Sequence, residues 1–239
     1  MKILAVESSG LVASAAIANE TTLLAEYTVN FKATHSQTLL PMIDEIVRMI
    51  GLDLNEVDAI AVSSGPGSYT GLRIGSATAK GLGLALKKPI IEVPTTETIA
   101  ANMYGFRGII CPLMDARRQQ VYTGLYKYGP EGFVVVKDRM ATQIEDILKL
   151  VNEAGEEVVF LGDGVEAYKD TIISLTKVPY SFAPLHLSKQ RAGSLAVRAA
   201  FLFEEGKFVT AAEHRPDYLR LSQAERELKE KEASLNGQV

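Results

Sequence analysis

The residues whose types and spacing could do chemistry are few. "GPGSYTGLR" (65–73) is a glycine-rich turn of the kind that cradles phosphate with backbone N–H groups. A P-loop needs GxxxxGK and then a hydroxyl residue, the lysine for the terminal phosphates and the hydroxyl for magnesium. This run has neither, and Pro66 removes one backbone donor. Gly65, Gly67 and Gly71 also miss the GxGxxG spacing of a dinucleotide site. The glycines therefore read as a tight strand-to-helix turn, with Ser68 or Thr70 as the helix cap and Arg73 holding a loop carboxylate or carbonyl. His35, His186 and His214 are far apart and form neither HxxxH nor HExxH, so no metal site is expected. Cys111 lies in an apolar run and reads as a small core residue, not a nucleophile. His35, in "THSQTLLP", reads as a surface residue at a helix start capped by Thr34 or Ser36.

These residues must be positioned by regular elements, and the chain can supply them. It has 239 residues, 47% hydrophobic, enough to bury a sizeable core as one large domain or two small lobes. The net charge is −4, and no basic stripe of the kind that grips nucleic acid is visible. One cysteine excludes an intrachain disulfide and fits a reducing compartment. "MKILAVESSG" is too short in its apolar run for a signal peptide and reads as a first strand. No segment approaches the roughly 20 apolar residues that cross a bilayer, so a soluble, cytoplasmic protein is expected.

Apolar runs at 2–6, 12–18 and 22–29 read as strands, the last two joined by a turn at Asn19-Glu20. Helical spacing over 35–50, a strand at 57–63, a helix over 70–86 stopped before Pro89, and a strand at 90–93 follow. A helix then starts near Thr95, with threonine as its cap. The second half repeats the order: a strand at 108–114, a hairpin of 120–128 and 132–138, a helix over 142–151 and a strand at 157–162. A short helix near Val165, a weak strand near Tyr180 and a long helix over 188–203 complete it. A duplicated unit of three strands, helix, strand and helix implies an α/β protein of the actin-like (ASKHA) class. That means two ribonuclease-H-like lobes, each a mixed five-stranded sheet with flanking helices. The lobes are read as 1–104 and 105–210, and the last long helix, about 188–205, can pack back on the first. A C-terminal arm, 211–239, is expected to be partly disordered, with Tyr218, Leu219 and Leu221 apolar enough to dock.

ATPases of that class place a small-residue hairpin after the first strand of each lobe so that phosphates and magnesium can approach. The equivalents are "ESSGLVAS" (7–14) and "DARRQQV" (115–121). Glu7, Ser8, Ser9, Arg117 and Arg118 are thus the candidate remnant of a nucleotide or anion site. The two arginines stand where small residues would be needed, and the phosphate machinery reads as degenerate. "GDGVEAY" (162–168) resembles an adenine-side glycine turn but reads more simply as an ordinary turn before a helix.

The helices carry a different signal. On the first, Leu39, Leu40, Met42, Ile43, Ile46, Val47, Met49 and Ile50 make an apolar arc wider than one core contact requires. On the second, Gly75, Ala79 and Gly83 recur every four residues, a ridge low enough for another helix to approach. A helix apolar nearly all round must be covered on both sides: one by its own sheet, the other either by the second lobe or, the preferred reading, by two helices of a partner. The expected partner interface is His35, Leu39, Leu40, Met42, Ile43, Ile46, Tyr69, Leu72, Arg73, Gly75, Ser76, Ala79, Lys80 and Gly83.

"ILAVESS", "HSQTLLPMID", "SSGPGSYTGLRIGSATAKGLGLAL", "MDARRQQVY" and "PDYLRLSQAE" stand in the order and spacing of one family. From Lys2 to about Glu225 the chain resembles the bacterial TsaB (YeaZ) family of threonylcarbamoyladenosine biosynthesis proteins. Glu7 departs from it, since the family more often has aspartate in "DTS". The resemblance implies an actin-like fold that lacks the metal site of the paralogue TsaD. It implies a noncatalytic partner of a TsaD-like transferase, joined by a TsaE-like ATPase, in modifying the tRNA adenosine just 3′ of the anticodon. It implies no cofactor of its own, with ATP and a metal ion belonging to partner subunits. The two N-terminal helices would pair with those of the transferase, or with each other in a homodimer, and tRNA would be met only through the complex. The rival reading is an independent actin-like ATPase or small-molecule kinase. A metalloprotease is not supported, because the ligands are missing.

Overall fold

β1 (Ile3–Glu7), β2 (Ala13–Ala18) and β3 (Leu23–Val29) form an antiparallel meander. α1 (His35–Ile50) and α2 (Tyr69–Leu86) then carry the chain to β4 (Ala59–Gly65), parallel beside β1, and to β5 (Ile90–Pro94), parallel beside β4. The sheet order is β3-β2-β1-β4-β5. β1, β2 and β4 are buried throughout, which is why they read as unbroken apolar runs. After α3 (Thr95–Ala100), the second half builds β6 (Ile109–Asp115), β7 (Gln120–Gly129), β8 (Gly132–Gln143), β9 (Val158–Leu161) and β10 (Tyr180–Phe182). Their order, β10-β9-β6-β7-β8, is the first sheet's order again, with α4 (Ile144–Ala154), α5 (Gly164–Ala167) and α6 (Lys169–Leu175) in the crossovers. This computed structural model describes residues 1–31, 34–130 and 132–219. The charged tail and Leu221 lie outside the described residues. No helix among the described residues is long and apolar enough to cross a membrane.

The first sheet is covered on both faces. Leu39, Met42, Ile43 and Ile46 of α1 pack on Leu4, Val6, Ala15 and Ile17. On the opposite face α7 (Ala192–Glu204), from the second half of the chain, sets Leu195, Ala196, Ala199 and Leu202 against Ile3, Ala5, Ala16 and Ile91. The second sheet buries Cys111, Leu113, Val121 and Phe160 under Ile147, Leu148, Val151 and Ile172.

Several boundaries differ from expectation for local reasons. β8 continues to Gln143, so α4 starts two residues later than the apolar spacing suggests. α7 starts at Ala192 because Asn102 ties down the approach to it, donating to the carbonyls of Leu187 (2.8 Å) and Lys189 (2.7 Å). Thr95 does not cap α3: Pro94 takes the cap position, and the Thr95 hydroxyl is buried without a hydrogen-bond partner. At α1 the cap position is Thr34, with no side-chain bond.

Candidate functional site

The glycine-rich turn and the first hairpin meet and close on each other. The Ser68 N–H donates to the Ser9 carbonyl at 2.7 Å, and the Ser8 hydroxyl donates to the Gly71 carbonyl at 2.9 Å. Ser68 Oγ accepts from the Gly71 N–H at 3.3 Å and caps α2. Beneath them Glu7, Ser8 and Ser9 are buried. Glu7 Oε1 accepts from the Ser9 N–H (2.7 Å) and hydroxyl (2.6 Å), and Oε2 accepts from the Ser63 hydroxyl. Burial pushes the Glu7 carboxyl above its ordinary value, and the bonds from Ser63 and Ser9 oppose that only in part. Glu7, Ser8 and Ser9, one half of the candidate nucleotide or anion remnant, are thus held by bonds within the fold. Their side-chain polar groups bond within the chain, and Ser9 still borders the cleft between the lobes beside Pro66, Gly67 and Ser68.

Arg117 and Arg118 are exposed, on a turn in which residues 117, 118 and 119 all have positive φ (+66°, +56° and +62°). Asp115 holds Arg117 through the backbone N–H (2.8 Å) and the guanidinium (3.3 Å). Arg117 and Ser9 line the cleft between the lobes, about 630 Å³, together with Tyr69, Tyr122, Asp163 and Tyr218. Burial and the neighbouring Asp115 charge raise the Asp163 carboxyl above its usual range, against the N–H bond from Asp115. Cys111 is fully buried, and its thiol is pushed up to about 12 by burial. His35 is half-buried at the edge of the cleft, with Nε2 3.1 Å from the Val12 carbonyl.

The interface set divides by face. Leu39, Met42, Ile43, Ile46, Leu72, Gly75, Ser76, Ala79 and Gly83 are buried within this chain. The Gly75-Ala79-Gly83 ridge is turned inward: a Cβ at Gly75 would collide with the Ser8 hydroxyl, and one at Gly83 would touch Ala211 at 3.1 Å. That corrects the expectation that the ridge receives a partner helix. It lets α2 lie close on β1 and β4 instead. Leu40, Tyr69 and Arg73 remain exposed, and Lys80 is half-buried, donating to the carbonyls of Ala212 and His214. What α2 turns outward is a second small stripe, Ala77, Gly81 and Ala85, beside Leu84, which is 62% exposed. Leu40 on the neighbouring α1 is 54% exposed, and nothing lies within 4 Å of a Cβ built on Gly81. The periodicity that found the inner stripe also contains the outer one, since both repeat every four residues.

Two duplicated mixed sheets, helix-covered and separated by a cleft, define a member of the actin-like class of two-lobed folds. The chain matches the family described as "TsaD: tRNA N6-adenosine threonylcarbamoyltransferase" over residues 22–229. It is 35% identical over 225 residues to a "tRNA threonylcarbamoyladenosine biosynthesis protein TsaB" of Bacillus subtilis, covering 94% of this chain and 96% of that one. To the Escherichia coli protein of the same description it is 30% identical, over 97% of this chain and 100% of that one. A solved Pseudomonas aeruginosa structure, described as having similarity to peptidase YEAZ, superposes with a TM-score of 0.80 at 27% identity, over 92% of this chain and 99% of that one. The chain belongs to this family, and within it to the TsaB (YeaZ) branch.

Proposed function

We propose that this chain takes part in threonylcarbamoyladenosine biosynthesis on tRNA as a noncatalytic scaffold, pairing with a TsaD-like transferase served by a TsaE-like ATPase. The observation that carries the reading is the uncovered outer side of α2: Ala77, Gly81, Leu84 and Ala85 are exposed with no packing from this chain over Gly81, and Leu40 of the neighbouring α1 is exposed too. A helix apolar on two faces needs cover on both, and here the sheet covers one. The same face would form a homodimer in isolation. ATP and a metal ion would belong to the partner subunits, tRNA would be reached only through the complex, and the setting would be cytoplasmic. The inward, fully bonded Glu7-Ser8-Ser9 group favours this reading over an independent ATPase or kinase.

The test is reconstitution of tRNA modification with a transferase, an ATPase and threonylcarbamoyl-adenylate, with and without this chain. Gly81→Glu, a charge in open space on the outer face, should leave the isolated chain folded and abolish pairing and modification. Undiminished pairing would place the docking surface elsewhere, and micromolar Mg-ATP binding by the chain alone would favour the kinase reading.

A further inference from the structure

Residues 209–219 form neither helix nor sheet strand, yet they bind both lobes. At the near end Val209 and Ile90 exchange backbone hydrogen bonds of 2.8 and 2.9 Å beside β5. His214, buried, holds Glu92 through Nδ1 at 2.6 Å, and the Arg215 N–H donates to the same oxygen at 3.2 Å. Lys80 of α2 donates to the carbonyls of Ala212 (3.3 Å) and His214 (3.0 Å). All of these anchors belong to the first lobe.

The far end is held differently. The Asp217 N–H donates to the Ser64 carbonyl at 2.7 Å, and the Asp217 carbonyl occupies the space a side chain on Gly65 would need. The Asp217 carboxylate accepts a hydrogen bond from Arg139 Nε of β8 at 3.0 Å, and the same oxygen lies 2.9 Å from Arg139 Nη2 in an ion pair. Arg139 belongs to the second sheet, so this ion pair crosses between lobes. One residue on, Tyr218 packs against Tyr69, the first residue of α2, with ring centroids 4.9 Å apart. The Tyr218 hydroxyl accepts from Arg73 Nε at 3.4 Å, and the Arg73 guanidinium lies 4.4 Å over the Tyr69 ring. The chain of contacts therefore runs from β8 through Arg139, Asp217 and Tyr218 to the first turn of α2.

We propose that Arg139 and Asp217 are positioning residues. Their ion pair fixes the far end of the strap against the second lobe, and through Tyr218 it sets the first turn of α2, the rim of the outer face, in the conformation that a partner helix pair meets. This rests on the docking role proposed above. The near anchors keep the strap attached when Arg139 is lost, so the effect is local. Asp138, 3.5 Å from Arg139 Nη1, is the other carboxylate on the guanidinium and does not replace a link to the strap, because it lies on β8 itself.

Hydrogen exchange on the full chain and affinity for a TsaD-type subunit test this together. Arg139→Met should speed exchange at 217–219 and 69–74 while β1 and β4 keep their protection, and should weaken pairing about 5-fold. Arg139→Lys, which keeps the charge and one bond, should recover most of both. Tyr218→Ala should weaken pairing similarly, and the double variant Arg139→Met/Tyr218→Ala should be no weaker than either alone, because both break one path. Unchanged exchange in Arg139→Met overturns the proposal, as does faster exchange with unchanged affinity, or additive losses in the double variant. If Gly81→Glu leaves pairing intact, the docking face itself has failed, and the exchange pattern of the isolated chain still decides whether the ion pair holds the first turn.

Discussion

Glu7 stands at the mouth of what would be a phosphate hairpin, and the fold has turned it inward. It is a buried carboxyl whose value burial raises, held by Ser9 and Ser63. A raised acid stabilises the fold as pH falls through its folded value, and the gain levels off below the ordinary 4.5. Above the folded value the buried charge is a burden. In Glu7→Gln the amide oxygen can still accept from Ser9 and the amide N–H can donate to Ser63. Its Tm should exceed that of the parent at pH 8 by about 2–4 °C, what ~1 kcal/mol produces in a chain of this size, with the gap closing towards pH 4.5. Thermal melts across that range check it, and a lower Tm for the variant at pH 8 would show that the charge is needed.

α2 carries two stripes of small residues with opposite duties. Gly75 lies against Ser8 and Val62, so Gly75→Ala has to push Ser8 aside and should cost about 1–3 kcal/mol. Gly81 is in a helix interior with open space around it, so Gly81→Ala should stabilise the isolated chain by up to ~1 kcal/mol. Urea titrations of the two variants separate the faces: similar midpoint shifts would contradict the inward and outward assignment. The same helix shows why a sequence pattern finds an interface element more easily than an interface. Composition reveals that α2 has too little polar surface for a helix bordered by water. It does not reveal which apolar edge meets the sheet.

Across the whole molecule, the strap ties the end of the described chain to β5, α2 and β8. Burial works to raise Glu92, but the hydrogen bond from His214 and the Arg215 N–H outweigh it and hold the carboxyl below its ordinary 4.5. A lowered acid gives stability that is present above 4.5 and lost as pH falls through the folded value. Exchange at 209–216 should therefore rise as pH drops below 4.5, after correction for the intrinsic rate, and Glu92→Gln should show the loosened strap already at pH 7. A variant as protected as the parent at pH 7 would mean that the bridge at Val209 and the Lys80 bonds hold the segment unaided. The sequence by itself determined the duplicated order of strands and helices, since buried strands and amphipathic helices write their period into local composition. It also carried the family likeness, in "GPGSYTGLR" and "DARRQQV". Only the tertiary structure decided that the Glu7, Ser8 and Ser9 side chains bond inside the fold, that the Gly75 ridge faces inward, and that Asp217 meets Arg139. Each of these depends on which of two chemically similar faces is turned towards residues distant in the chain, and periodicity is blind to that choice.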